Sequence, residues 1–318
     1  MFEFWKSTLL KNEQATYEYV VKQYLLGKRK IFAPCEISNE GILNVYRAIS
    51  FDHPELFQLP SSCSVAQQIS LLGKQNIYMM KDLYSKSEEE KIKSAIQVLQ
   101  KNLLDRLEVN NPLGAIKEIT KWFVENVYYH IDNEFNQNAA SALYFKRAQC
   151  SGYSKGFKLL MDSFNIPCII VEGSMNNSGD ISHAWNLVKL ENNWYHIDIT
   201  NIVPYKSAED SPYYLVSDNA IKKTHTWHTN IPSCPDSFFA PVDEEVFYST
   251  YEVGVHLKRA YLKRETLVRF NAEICDEPSL NQEKVLDFIR KWYSQNANNI
   301  SFRIQAKNIK FEIEIEYM

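Results

Sequence analysis

The stretch SHAWNLVKLENNWYHIDIT, residues 182–200, decides the fold. Ala184, Asn186, Val188 and Leu190 alternate with Trp185, Leu187 and Lys189, the pattern of a strand with both faces partly covered. Glu191-Asn192-Asn193 reads as a turn and WYHIDI as the next strand, so the pair is an antiparallel hairpin. His183 opens the first strand and Asp198 lies on the second. A catalytic imidazole needs a partner on its far nitrogen to fix its tautomer and stabilise the imidazolium. Asp198 fills that need if the register brings the two side chains together. Strand alternation puts His196 on the same face as Asp198, which leaves His196 as a rival.

Upstream, AQCSGYSKGF (148–157) reads as a loop entering a helix, because Tyr153, Phe157, Leu160, Met161 and Phe164 recur at helical spacing after Ser151-Gly152. Cys150 then sits at a helix N-terminus. Unpaired backbone N–H groups and the positive end of the helix dipole favour a thiolate there and offer donors to a developing oxyanion. The helix stops before Asn165-Ile166-Pro167, and CIIVEG reads as a strand.

A cysteine opening a helix, then H-A-W-N on a strand, then W-Y-x-x-D on its neighbour resembles the transglutaminase-like superfamily. The resemblance runs over roughly residues 112–228. It includes the lead-in helix IKEITKWFVENVYY (116–129), and SPYYLVSD (211–218) with THTW (224–227), which resemble bacterial members. It implies an α+β fold with a papain-like core, a nucleophile helix packed on an antiparallel sheet. It also implies roles: Cys150 as nucleophile, His183 as general base and acid, Asp198 orienting the histidine. Animal cross-linking enzymes usually place a tryptophan after the cysteine. Here Ser151-Gly152-Tyr153 follows, which leans toward the broader bacterial group.

The chemistry expected of such a triad is amide cleavage or acyl transfer. The thiolate attacks a carbonyl carbon, His183 protonates the leaving amine, and water or a lysine amine resolves the thioester. Hydrolysis is the favoured outcome because it needs no dedicated amine site. The alternatives are a cross-linking transglutaminase, or a non-catalytic module that keeps the fold and holds a peptide or protein. The substrate is a peptide or protein amide. No metal or organic cofactor is called for, and no acidic calcium loop is evident. Gln149, Tyr153, Trp185 and Trp194 are the residues proposed to border the substrate pocket, with the two tryptophans read as core or pocket walls rather than recognition elements. His225, Trp227 and His228 form a second polar cluster, read as a cap over the site, because a His-x-x-His pair here lacks evident further ligands.

Composition fits an ordinary enzyme. The chain has 318 residues, 45% hydrophobic and 13% aromatic, enough for more than one core. With 35 basic and 39 acidic residues and no long basic run, a nucleic-acid-binding face is not expected. Six scattered cysteines without a Cys-x-x-Cys pair suit free thiols in a reducing compartment. The charged N-terminal stretch lacks a signal-peptide core, and no stretch reaches the ~18 apolar residues of a membrane span, so the expected location is cytoplasmic, without membrane partners.

Three regions are expected. Residues 1–110 read as a mostly helical accessory region, with a helix over ILNVYRAISFD broken at His53-Pro54 and a long amphipathic helix striped by Ile92, Ile96, Leu99, Leu103 and Leu107. Residues 111–254 hold the core. Residues 255–318 form a small β-α-β-β unit, with Ser279 capping its helix and Phe311, Ile313, Ile315 and Tyr317 on the buried face of its last strand.

Overall fold

The computed structural model describes residues 2–70, 73–106, 111–131, 134–175, 181–202, 208, 211–238, 246–247, 250–262, 267–272, 282–297, 300–307 and 310–317. The chain begins with α1 (Phe4–Thr8), α2 (Lys11–Leu25), β1 (Lys30–Phe32), α3 (Asn39–Asp52), β2 (Ser64–Ser70), β3 (Gly73–Met79) and α4 (Lys86–Leu104). Then come α5 (Pro112–Asn126), β4 (Tyr128–Tyr129), α6 (Ala139–Leu143), β5 (Arg147–Ala148) and α7 (Cys150–Ser163). The central sheet follows with β6 (Cys168–Met175), β7 (Ile181–Leu190), β8 (Asn193–Ile197), α8 (Ile199–Ile202), α9 (Asp218–Ile221) and β9 (His225–Thr226). Last are β10 (Val246–Phe247), α10 (Thr250–Leu262), β11 (Leu267–Ala272), α11 (Gln282–Asn296), β12 (Ile300–Lys307) and β13 (Lys310–Tyr317).

The central sheet has the order β8-β7-β6-β9, antiparallel throughout. The expected hairpin is present: Leu190 pairs with Asn193, and Glu191 takes a positive φ of 53° in the two-residue turn. Alternation along β7 sends its side chains into two different cores. Val188 and Leu190 pack with α5, α6 and α7, while Trp185 and Leu187 pack with residues of α1, α2 and α3. The sheet is therefore buried on both faces, which explains the apolar character of HAWNLVKL on both sides.

Helices α1–α4 dominate the N-terminal region, but it is not helical alone. It contains a three-stranded antiparallel sheet of order β1-β3-β2. Its strands carry Gln67, Gln68, Gln75 and Asn76 in their middles, and β2 is largely exposed. Strands polar on both faces give no period-two apolar signal, which is why the sequence pattern missed them. The region also supplies the layer over the second face of the central sheet: Trp5, buried, donates its indole N–H to the Ile170 carbonyl at 3.0 Å.

Several helix boundaries follow the sequence closely. The chain leaves α3 at His53, before Pro54. The α4 stripe buries Ile92, Ile96 and Leu103; Leu107 lies outside the described residues. Its start is a capping box: the Ser85 hydroxyl accepts from the Glu88 amide and the Glu88 carboxylate accepts from the Ser85 amide. Replacing Ser85 by alanine is expected to cost about 1 kcal/mol, read as a lower urea midpoint with unchanged slope.

The C-terminal elements have their own core, formed by residues such as Val253, Leu257, Val268, Ile289, Ile313 and Ile315. The β-α-β-β order of β11, α11, β12 and β13 is as expected, and β10 adds a parallel edge strand beside β11. Phe311, Ile313 and Ile315 are buried and Glu316 is exposed, whereas Ser279 and the Tyr317 side chain lie outside the described residues. No described helix is long and apolar enough to cross a membrane.

Candidate active site

Cys150 is the first residue of α7. The preceding Gln149 is extended, with φ −88° and ψ 175°, and its side chain caps none of the first-turn amides. Those N–H groups are left to face the space beside the sulfur. Gly152 lets this end of the helix sit close to its neighbours, since a Cβ there would lie 2.5 Å from the Ser141 hydroxyl and 2.6 Å from the Asn136 carbonyl. Two bonds fasten α7 to β7: Ser154 Oγ donates to the Ala184 carbonyl at 2.9 Å, and Asn186 Nδ2 donates to the Ser154 carbonyl at 3.1 Å. The asparagine of H-A-W-N is thus a buried strap between nucleophile helix and sheet.

That strap brings Cys150 to His183, the third residue of β7, close enough for the two side chains to influence each other's ionisation. His183 Nε2 donates to Asp198 Oδ2 at 2.7 Å, which leaves Nδ1 for the sulfur. Asp198 lies one residue beyond β8, at the entry to α8, and is held from the backbone by its N–H to the Tyr213 carbonyl at 2.9 Å. The three residues predicted from separate segments therefore form one chain of contacts. Asp198 is fully buried and His183 nearly so, while Cys150 is half-buried and is the member a substrate can reach.

The electrostatics point one way. Burial opposes the Cys150 thiolate, but the His183 hydrogen bond and charge, with a bond from the Ala184 backbone, outweigh it and hold the thiol below its ordinary value. Burial likewise opposes the His183 imidazolium, yet the charge and hydrogen bond of Asp198, followed by Cys150, raise it to about 10. Asp198 is pushed far below the usual carboxylate range because His183 and His225 more than offset its burial. Both shifts favour a thiolate–imidazolium pair backed by a carboxylate. By contrast burial raises Cys63 to about 11 and drives Cys168 and Cys234 upward.

The rival histidine is settled by its partners. His196 Nδ1 accepts from the Trp185 indole N–H at 2.9 Å and Nε2 donates to Asp218 Oδ1 at 2.8 Å. Both ring nitrogens are occupied in a neutral ring, which burial depresses to about 4. His196, Asp218 and Cys234 place ligand-type atoms within 4.8 Å of one another, but a metal there would have to break the Trp185 bond.

The pocket residues fare differently. Gln149 is half-buried beside Cys150. Trp185 is fully buried among His183, His196 and Trp227 and offers no surface to a ligand. Trp194 is near the far end of β8 against Phe2. Tyr153 is buried, with its hydroxyl on the Val127 carbonyl at 2.8 Å. Tyr153 instead supports Tyr129, whose ring stacks on it at 6.4 Å and stands 50% exposed. Tyr129 pairs with Ala148, two residues before Cys150, which puts its ring beside the site, and burial, then the charges of Cys150 and Asp198, raise its phenol. Nothing in the sequence pattern singled it out. A cavity of about 480 Å³ between Trp5, Glu13, Asn44, Arg47 and Thr229 lies apart from the triad, none of whose residues line it.

Residues 101–199, which contain Cys150, His183 and Asp198, match the family model described as the Transglutaminase-like superfamily. Two curated relatives are the kyphoscoliosis peptidases of Mus musculus and Homo sapiens. The mouse protein is 24% identical over 139 residues, covering 39% of this chain and 21% of its own length. The human protein is 28% identical over 126 residues, covering 33% of this chain and 19% of its own. The chain thus spans about a fifth of the length of these relatives. A solved structure from Cytophaga hutchinsonii, described as a candidate cysteine protease, is 15% identical with a TM-score of 0.30, over 45% of this chain and 63% of that one. At that score the superposition is too loose to bear on chemistry. The matched span begins within α4 and ends just past Asp198, so β9 with His225 falls outside it.

Proposed function

We propose that the protein is a cysteine-dependent amide hydrolase or acyl transferase in which Cys150 is the nucleophile, His183 the general base and acid, and Asp198 the residue that orients His183. The observation that carries this reading is the 2.7 Å hydrogen bond from His183 to Asp198, with Cys150 beside His183 at the uncapped start of α7. The thiolate attacks a peptide or protein carboxamide carbon, and first-turn N–H groups of α7 receive the oxyanion. Collapse of the tetrahedral intermediate breaks the C–N bond, with the His183 proton passing to the leaving amine. The resulting thioester is resolved by water, whose proton returns to His183. Hydrolysis is favoured over transamidation because the half-exposed Cys150 is open to water.

The test is incubation with a peptide mixture and a fluorescent primary amine, followed by mass spectrometry. New peptide termini or deamidated glutamines that vanish in Cys150→Ala support the hydrolase; amine-tagged glutamines support the transferase. If wild type and Cys150→Ala give identical peptide profiles, the enzymatic reading fails and a peptide-binding role takes its place.

A further inference from the structure

The carboxylate of Asp198 carries a second imidazole. His225 Nε2 lies 3.0 Å from Asp198 Oδ2, the same oxygen that receives His183 Nε2 at 2.7 Å. Both His225 and Asp198 are fully buried. Thr224 Oγ1 stands 2.8 Å from His225 Nδ1. When its hydroxyl donates to Nδ1, the neutral ring carries its proton on Nε2, aimed at the carboxylate. Asn201 Nδ2 donates to the same oxygen, and the amides of Thr200 and Asn201 donate to Oδ1 at 3.1 and 3.4 Å. Asp198 is thus fixed from several directions at once.

The backbone is built to deliver this histidine. His225 belongs to β9, which pairs with Ser174 and Met175 at the edge of β6. Ser174 and Thr226 hydroxyls meet at 2.7 Å across that pairing. Gly173, which pairs with His183 in the register, has no room for a side chain: a Cβ there would overlap the Thr226 carbonyl and reach Trp185 at 2.9 Å. The Trp185 ring packs edge-on to His225 at 4.8 Å and stacks near His183 at 6.0 Å, and the two imidazole rings lie 5.3 Å from each other.

We infer that His225 is a positioning residue of the active site, clamping Asp198 so that its Oδ2 stays aimed at His183 and keeps the imidazolium charged; this rests on the triad reading above. Without His225, Oδ2 would keep only His183 and Asn201 as partners, and the buried carboxylate would be less fully satisfied and less firmly aimed. Loss of the His225 ring opens a polar space in which Asp198 can rotate and water can screen it. The His183 imidazolium then loses support, and the Cys150 thiol rises.

The experiment is iodoacetamide labelling of Cys150 against pH in the full chain, for wild type, His183→Ala, His225→Ala and His225→Gln, with thermal midpoints recorded alongside. Glutamine keeps an N–H donor near the position of Nε2. His225→Ala is expected to move the acid limb to higher pH and slow labelling at pH 6 by about tenfold, the effect of a one-unit rise in thiol pKa. His225→Gln is expected to restore the wild-type limb. An alanine variant that labels as fast as wild type, or a glutamine variant as slow as the alanine one, overturns the inference. If His183→Ala also labels like wild type, the triad reading itself falls. A slow His183→Ala beside an unaffected His225→Ala overturns the His225 role alone.

Discussion

Cys150 is expected to alkylate well ahead of the other thiols at pH 6, and to lose that advantage by about a hundredfold or more in His183→Ala. The size follows from ionisation. An ordinary thiol near pKa 8.5 is well under about 1% thiolate at pH 6, whereas a thiol held low by a neighbouring imidazolium is substantially ionised. Cys150 is lowered by His183, and Cys63, Cys168 and Cys234 are raised by burial, so the contrast among these thiols is built in. Turnover has a second limit that alkylation lacks. It requires His183 to remain protonated for the leaving amine, so it rises on the acid side as Cys150 ionises and falls on the alkaline side as His183 titrates through about 10. Peptide mass mapping after brief iodoacetamide exposure checks the first part. Equal labelling of Cys150 and Cys35 at pH 6 would contradict a thiolate–imidazolium pair.

The largest loss of stability is expected from Trp185→Ala. The indole is fully buried between the two histidines of the site and Trp227, and its N–H satisfies His196 Nδ1. Removing a buried aromatic costs about 3–5 kcal/mol, and the orphaned imidazole nitrogen adds to that. Against a typical total of about 5–15 kcal/mol, this is enough to leave a substantial unfolded fraction near physiological temperature. Trp185→Phe separates the two contributions: it keeps most of the packing and leaves His196 without its donor, for an expected loss of about 1–3 kcal/mol. Urea unfolding followed by circular dichroism reads both. A loss under about 1 kcal/mol in Trp185→Ala would mean that the residue is not the core element described.

The resemblance in three short segments already pointed to Cys150, His183 and Asp198, and the structure places the three side by side, with His183 bonded to Asp198. The pocket residues were less legible. Trp185, Trp194 and Tyr153 were read from proximity in sequence, but strand and helix periodicity turn Trp185 and Tyr153 inward and send Trp194 toward Phe2. Tyr129 and Asn201, which do stand at the site, carry no pattern that distinguishes them from any other surface tyrosine or helix-start asparagine.

The sequence by itself determined the hairpin of β7 and β8, the helix that Cys150 opens, and the breaks at Pro54 and Pro167, because turn chemistry and residue periodicity act over a few neighbours. Only the tertiary structure decided which nitrogen of which histidine meets which oxygen. His196 lies two residues from Asp198 yet is turned to Trp185 and Asp218, while His225, 27 residues away, reaches the carboxylate. The reason is that β9 joins the sheet next to β6 over a glycine, a long-range pairing that leaves no local periodic trace. The same holds for the polar three-stranded sheet and for the N-terminal helices over Trp185: their places are fixed by which apolar faces remain to be covered once the whole chain has collapsed.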